Sequence, residues 1–298
     1  MNKLIATCPR GLSTYLAAEI IGLGLPVFDT TDNFVETEGT FNDAMRLNLC
    51  LRTAHHVLYY LCEFECPSPD ALYEGTRAFP WEEWLPVPGY FSIESDSDHE
   101  SVRDTRFPNL RCKDAIADRL LEKKGARPDS GSDKTGAVIR LFWKAGHASI
   151  YLDTSGEPLC RRGYRKMPFK APLQETLAAG LLLASRWNGE TPFVNPMCGS
   201  GTLAIEAALI AMGRAPGLLR NNFAFQHVRP FDAAAYRTLC NELSSQAKVR
   251  PAGSIIASDI SEEAIMAARQ NAKIAGVEEW IDFQVCDFAE TPLPAEPG

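Results

Sequence analysis

An apolar strand that runs directly into a glycine-rich turn and out into a helix permits few folds. The segment Pro192-Phe193-Val194-Asn195-Pro196-Met197-Cys198-Gly199-Ser200-Gly201-Thr202, followed by the helical run Leu203–Met212, has that form. Gly199 and Gly201 permit turn angles closed to other residues and remove side chains where a ligand must approach, while the amino end of the helix offers unpaired N–H groups. The unit predicts the first βα turn of a doubly wound parallel sheet, with a polar or anionic group held at the turn.

Ala204 completes a Gly-x-Gly-x-x-Ala pattern, so a nicotinamide dinucleotide site has to be weighed. Such a site expects an acidic ribose ligand about 20 residues further on. The next strand to end in an acid is Gly253–Asp259, and the intervening Arg214–Lys248 carries its own helix and a Pro-rich crossing, which makes hydride transfer the minor alternative. Asp259 closes the apolar strand Ile255-Ile256-Ala257-Ser258 and is placed to accept from two ribose hydroxyls. A helix Glu262–Ala275 follows, then a strand Ile281–Cys286 ending in Asp287, which is placed to accept from an adenine amine, with Ile260 and Phe288 packing on the ring faces. Each Asp alone would read as a cap or turn residue. Two of them at the ends of successive strands, after the Gly loop, point to one crevice.

Upstream, the periodicity predicts a strand Lys3–Cys8, an amphipathic helix Leu12–Leu23, a strand Phe34–Thr37, a helix Phe41–Leu51 and a strand His56–Glu65, an order that suits a small ferredoxin-like sandwich. Next come a helix Pro69–Phe79, a strand Tyr90–Glu94, a helix Asn109–Lys124, and two strands, Ala137–Trp143 and Ala148–Leu152, joined at Ala145-Gly146. A turn at Thr154–Pro158 closes this module, Arg161–Lys170 reads as a basic linker, and a helix Pro172–Trp187 opens the sheet domain. The predicted organisation is α/β: residues 1–65 ferredoxin-like, 66–160 a second α+β domain, and 161–298 a partial Rossmann-like domain.

At 298 residues and 45% hydrophobic, the chain suits a soluble globular protein of more than one domain. No apolar run approaches the roughly 20 residues of a membrane span, and the amino terminus breaks at Cys8, Pro9 and Arg10, too early for a secretory signal. Nine irregularly spaced cysteines with no such signal imply reduced thiols and a cytoplasmic setting, and Cys62 and Cys66, with no second pair nearby, make a poor metal site. The net charge of −8 argues at face value against nucleic acid, but it is unevenly distributed. Residues 1–100 carry 5 basic and 16 acidic groups, residues 101–170 carry 16 and 8, and residues 171–298 carry 9 and 14. A basic block between acidic ones suggests either one phosphate-binding face or a solvated helix face balanced in three dimensions.

The chain resembles the bacterial THUMP-containing methyltransferases, a family labelled N6-adenine-specific DNA methylases and related to the 23S ribosomal RNA guanine-N2 methyltransferases. The resemblance rests on Ala6-Thr7-Cys8-Pro9-Arg10-Gly11-Leu12, Lys113-Asp114-Ala115-Ile116 and Leu152-Asp153-Thr154-Ser155-Gly156-Glu157-Pro158-Leu159. It continues through Arg162-Gly163-Tyr164-Arg165, Ala171-Pro172-Leu173-Gln174-Glu175-Thr176-Leu177-Ala178-Ala179, and Asn195 through Glu206, in the family's order along essentially the whole chain. It implies that residues 66–160 are a THUMP domain that grips structured RNA, most expectedly ribosomal RNA, and that the cofactor is S-adenosyl-L-methionine. The cofactor residues it implies, together with the crevice above, are Glu175, Thr176, Asn195, Pro196, Cys198, Gly199, Gly201, Thr202, Asp259, Ile260, Asp287 and Phe288. Ala215-Pro216-Gly217-Leu218 and Phe223-Ala224-Phe225 match a family insertion that accounts for the long gap before Asp259.

One departure accompanies the matches. The family's catalytic motif, Asn-Pro-Pro followed by an aromatic on a fourth strand, is absent before Gly298, and the one Asn-Pro pair is Asn195-Pro196 in the Gly loop. The resemblance implies an RNA methyltransferase acting on an exocyclic base amine, foremost guanine N2 of 23S ribosomal RNA, but the 298 residues alone are expected not to catalyse transfer and contribute no catalytic residue to the expected set. The alternative is a non-catalytic RNA-binding or assembly protein with a vestigial cofactor pocket. Arg111, Lys113, Lys123, Lys124, Arg161, Arg162, Arg165, Lys166 and Lys170 are expected to contact RNA phosphates, the alternative being that Arg162 and Arg165 brace the linker. No metal and no membrane partner is expected.

Overall fold

The computed structural model describes residues 1–98, 104, 106–167 and 169–295. Its first half is built on strand β1 (Asn2–Thr7), whose alternation places Leu4 and Ala6 inward. Helix α1 (Ser13–Gly22), strands β2 (Val27–Thr30) and β3 (Phe34–Gly39), helix α2 (Phe41–Cys50) and strand β4 (His56–Glu65) follow. A reciprocal cap starts α2: Thr40 Oγ1 accepts from the Asp43 N–H at 3.2 Å, and Asp43 Oδ2 accepts from the Thr40 N–H at 2.7 Å. The chain continues through α3 (Pro69–Ala78), β5 (Tyr90–Asp98), α4 (Phe107–Lys124), β6 (Asp129–Gly131), β7 (Ala137–Lys144) and β8 (His147–Asp153). Gly125, at φ +74°, ends α4 in the left-handed conformation that a residue without Cβ adopts freely.

All eight strands form one sheet in the order β2-β3-β1-β4-β8-β7-β5-β6. The two predicted sandwiches are joined because β4 pairs antiparallel with β8, from Leu58 opposite Asp153 to Glu65 opposite His147. Either half alone would leave a row of unpaired N–H and C=O groups at that edge.

The second sheet is smaller. After α5 (Glu175–Ala184) come β9 (Phe193–Pro196), α6 (Thr202–Ala211), α7 (Ala233–Gln246), β10 (Ile255–Asp259), α8 (Glu262–Ala275) and β11 (Ile281–Val285), with a parallel order β11-β10-β9. Helix α5 starts three residues later than predicted, after the extended Gln174. Pro168 of the predicted linker and residues 296–298 lie outside the described residues.

Among the described residues, three apolar cores hold these layers, and their membership crosses the sequence divisions. Phe223, Phe225 and Leu243, which follow β9 by 27 residues or more, are buried with Leu4, Leu16, Met45 and Leu47 of the amino-terminal module. Val228 joins the core of Trp81, Phe91, Ile116 and Trp143. The insertion before β10 thus completes the amino-terminal half, and the remaining core packs α6 and α8 on the three-stranded sheet. Among the described residues, no helix is long and apolar enough to cross a membrane, and no group of three or more His, Cys, Asp or Glu could hold a metal ion.

Candidate functional site

The parallel register aligns β9 with β10 from Phe193 opposite Ile255 to Pro196 opposite Ser258, and β10 with β11 from Ile255 opposite Ile281 to Asp259 opposite Val285. The carboxyl ends of the three strands therefore lie side by side. The loop after β9 is tied to that edge. Cys198 N–H donates to Ser258 O at 2.8 Å, and Gly199 N–H donates to Asp259 Oδ2 at 2.9 Å.

The two loop glycines serve different purposes. A Cβ on Gly201 would lie 2.9 Å from the Ala268 Cβ, so this residue lets α6 press against α8. A Cβ on Gly199 would meet nothing within 4 Å, so that face is open to the crevice. Met197 adopts φ +60°, a strained value for a residue with a side chain and one that concentrates at functional turns. No side chain caps α6, which leaves first-turn N–H groups directed at the loop. Asn195 Oδ1 is shielded from solvent and has no hydrogen-bond partner among the described residues. Burial, reinforced by the Asp259 charge, pushes the Cys198 thiol up to about 12, so it is a neutral contact rather than a nucleophile.

Asp259 Oδ1 accepts from the Ser261 N–H at 3.0 Å, and Asp287 Oδ1 accepts from the Ala289 N–H at 2.9 Å. Each carboxylate retains lone pairs for a further donor. Met197, Ile260 and Phe288, which follow the ends of β9, β10 and β11, are 70%, 73% and 61% exposed. Three large apolar side chains left to water along one strand edge mark a surface awaiting a flat apolar group. The Ser258 and Thr291 hydroxyls, 2.7 Å apart, hold the chain after β11 against β10.

In the linker, Arg162 and Arg165 follow the bracing alternative rather than the phosphate-contact reading. Arg162 is 1% exposed and fully engaged: Nε donates to Glu206 Oε1 at 2.8 Å, Nη1 to Leu159 O at 3.3 Å and Nη2 to Arg52 O at 2.6 Å. Tyr164 donates to the same Glu206 oxygen at 3.1 Å. Arg162 therefore braces the two halves of the chain, and its burial shuts it away from any phosphate. Arg165 also turns inward, its Nη2 meeting Leu173 O at 2.5 Å, Thr202 Oγ1 at 3.1 Å and Glu175 Oε1 at 3.2 Å. Arg161 pairs with Glu157, and Lys166 and Lys170 are exposed. On α4 and its neighbours, Arg111 binds Asp70 at 2.6 Å and lies over the Tyr73 ring, while Lys113 and Lys123 pair with adjacent acids and Lys124 is exposed.

Thr176 requires the opposite correction. It is fully buried, and its hydroxyl lies 3.4 Å from His55 Nε2, on the side of the amino-terminal module rather than the crevice. Glu175, one residue earlier, is buried beside Arg165; burial raises its carboxyl above the usual range and the guanidinium opposes this.

Sequence reasoning missed Asn271. Its Oδ1 accepts from the Lys166 and Met167 N–H groups at 3.1 and 3.0 Å, and its Nδ2 donates to Met167 O at 2.9 Å and Ser200 O at 3.2 Å. One side chain on α8 thus holds the linker and the Gly loop together. The signal was available, since Asn271 interrupts the buried stripe Ala264, Ile265, Ala268, Ala272, Ala275 of α8.

A glycine loop and two acids on the carboxyl edge of a parallel sheet, behind a second α/β module, define the class I methyltransferase fold with an appended domain. The chain belongs to the THUMP-containing methyltransferase family. Residues 162–297 match the family described as RMKL-like, methyltransferase domain, residues 3–58 the RlmL ferredoxin-like domain, and residues 67–153 the THUMP domain. The chain is 40% identical over 295 residues to Ribosomal RNA large subunit methyltransferase K/L of Psychromonas ingrahamii (strain DSM 17664 / CCUG 51855 / 37), a match covering 96% of this chain and 38% of that relative's length. Its structure is similar to that of a possible methylase from Clostridium difficile 630, with TM-score 0.88, 34% identity and coverage of 100% of this chain and 78% of the other. It is also similar to SMU.472, solved in complex with SAH, with TM-score 0.87, 28% identity and coverage of 98% and 77%.

Proposed function

We propose that this chain binds S-adenosyl-L-methionine across the β9-β10-β11 edge and serves an enzyme that methylates an exocyclic base amine of ribosomal RNA, with guanine N2 the favoured acceptor. The observation that carries the reading is the set of unmet groups at one edge: an orphaned Asn195 Oδ1, an uncapped α6, an open face at Gly199 and exposed Met197, Ile260 and Phe288. These suit a ligand with a polar end, a diol and a flat ring. When bound, the cofactor supplies an electrophilic methyl group. Asp259 accepts from the ribose hydroxyls and Asp287 from the adenine amine. Ile260 and Phe288 cover the ring, and the turn through Pro196, Cys198, Gly199, Gly201 and Thr202 shapes the pocket around the amino-acid end.

The THUMP match and the relative's name support RNA as the partner. Arg161, Lys166 and Lys170 on the linker, with Arg111, Lys113, Lys123 and Lys124 around α4, are the cations proposed to contact phosphates. They would supply affinity and register, leaving base choice to the target site. Equilibrium dialysis with labelled S-adenosylmethionine, with and without a ribosomal RNA fragment, tests the reading. Saturable binding of both supports it, and a protein that retains neither at millimolar cofactor overturns it.

A further inference from the structure

Helices α1 to α4 all pack on one face of the eight-stranded sheet. Leu16, Ile20 and Leu47 are buried with Leu4, Ala6 and Val57, and Leu72, Ile116 and Leu120 with Ile139, Leu141, Ile150 and Leu152. Side chains alternate along a strand, so the residues between these strand positions point to the other face. There Tyr151 meets Tyr60 and Phe142 edge to face, with ring centroids 5.6 and 5.7 Å apart. Tyr60 and Phe142 are half-buried and flank the deeper Tyr151. Glu36, Glu38, Glu63, Glu65, Glu94 and Asp96 share this face, which thereby gathers much of the acidic excess of residues 1–100.

The cations of the face are already matched by its acids. Lys3 pairs with Glu36, Arg140 with Glu94 and the buried Asp153, and Lys144 with Asp96. Glu38, Glu63 and Glu65 have no cationic partner among the described residues. Burial, reinforced by the Glu36 and Glu63 charges, pushes the Tyr151 phenol up to about 12, so the negative field reaches the aromatic centre. Phosphates would be repelled here, whereas a guanidinium is attracted both by carboxylates and by the faces of neutral aromatic rings.

We propose that this sheet face docks a basic polypeptide segment, its arginines lying over Tyr60 and Phe142 and pairing with Glu38, Glu63 and Glu65. The proposal does not depend on the cofactor reading. Lys113, Lys123 and Lys124 lie on α4, across the sheet, so RNA and such a partner can be held at once.

The test is fluorescence anisotropy of a labelled arginine–glycine repeat peptide titrated with the 298-residue chain at low ionic strength. Saturable binding is expected. Glu38→Lys, Glu63→Lys and Glu65→Lys combined should weaken it at least about 10-fold, since three exposed ion pairs become three repulsions. Glu278→Lys, Glu279→Lys and Asp282→Lys combined, which change the net charge equally at the far end of the second sheet, should leave it within about 2-fold. Tyr60→Leu, which keeps the apolar bulk without the ring, should cost about 2- to 5-fold. An unchanged urea midpoint reports that each variant is folded. Equal losses for the two charge variants would reduce the binding to net charge and overturn the proposal, as would a wild-type chain that does not bind the peptide. Tyr60→Leu weakening a ribosomal RNA fragment but not the peptide would give the face to RNA, and a dimer abolished by the first charge variant would give it to a second copy; either result overturns the proposal.

Discussion

Asp259 Oδ2 lies 2.9 Å from the backbone nitrogen of Gly199, so the acid at the end of β10 fixes the glycine loop while facing the same crevice. Its other oxygen accepts from Ser261 N–H, which starts α8. Asp259→Ala removes an acceptor from both N–H groups and any ribose contact at once. A charged hydrogen bond contributes about 1.5–3 kcal/mol, so the variant should bind S-adenosylhomocysteine and methylthioadenosine alike at least about tenfold more weakly by calorimetry. RNA affinity should not move. Wild-type affinity for both nucleosides would remove Asp259 from the site.

The acids and glycines of that edge were readable because each ends a strand or forms a turn, and strand order then brings them together. What was not readable depends on burial. β2 and β6 were missed because both are short edge strands with exposed side chains and no apolar alternation to reveal them. Arg162 stays open in the sequence between a phosphate contact and a linker brace because residue type says nothing about a buried partner 44 positions away in Glu206. Thr176 shares its helix turn with Glu175 yet faces His55, a distinction set by the docking of α5 on the amino-terminal module. Helix α8, by contrast, spans Glu262–Ala275 as predicted, being capped by Ser261 and closed by Gly276 at φ +68°.

The insertion makes the two halves interdependent. Phe225 is fully buried, stacks on Phe223 with centroids 4.9 Å apart and meets Tyr236 at 5.5 Å, inside a core otherwise supplied by the first 60 residues and Leu159. Phe225→Ala should cost about 3–5 kcal/mol in urea unfolding, with the loss registered by probes in the amino-terminal module as well as the insertion. A loss confined to the insertion would mean that this packing is not shared.

Stability should also fall on mild acidification. Burial holds the imidazoles of His55 and His227 below their ordinary value of 6.5. A base with a depressed folded pKa takes up its proton more readily when unfolded. The stabilising contribution is therefore full above pH 6.5 and declines as pH drops from there through the lowered folded value. Asp153 acts in a separate window: burial opposes its ionisation, but the His56 and Arg140 charges hold its carboxyl below 3.8, so its contribution is lost only in stronger acid. Melting temperature should decline between pH 7 and pH 5, and His55→Gln should flatten part of that decline. A flat wild-type profile over this range would contradict the assignment.

For the linker, burial separates two kinds of arginine. Replacing Arg161, Lys166 and Lys170 together with Ala should lower the salt-dependence slope of RNA binding by about 2, at roughly 0.7 per phosphate on single strands, with little effect on stability. Arg162→Ala should leave the slope unchanged and destabilise the fold by about 3–5 kcal/mol, because Glu206 would keep a buried charge without its partner. Filter binding across a salt series and urea melts distinguish the two. Equal slopes for the triple variant and the parent would place RNA elsewhere on the surface.

The β4–β8 seam also sets a timetable for synthesis. β4 is complete at Glu65, but its partner begins only at His147, roughly 80 residues later, and at about 5–20 residues per second a ribosome needs about 4–16 s to deliver it. Over that interval the nascent chain carries an open strand edge. Glu63 and Glu65, the residues that finally oppose Ser149 and His147, lie on that edge. Their like charges would repel the same strand on neighbouring nascent chains of a polysome, keeping the place free until β8 emerges.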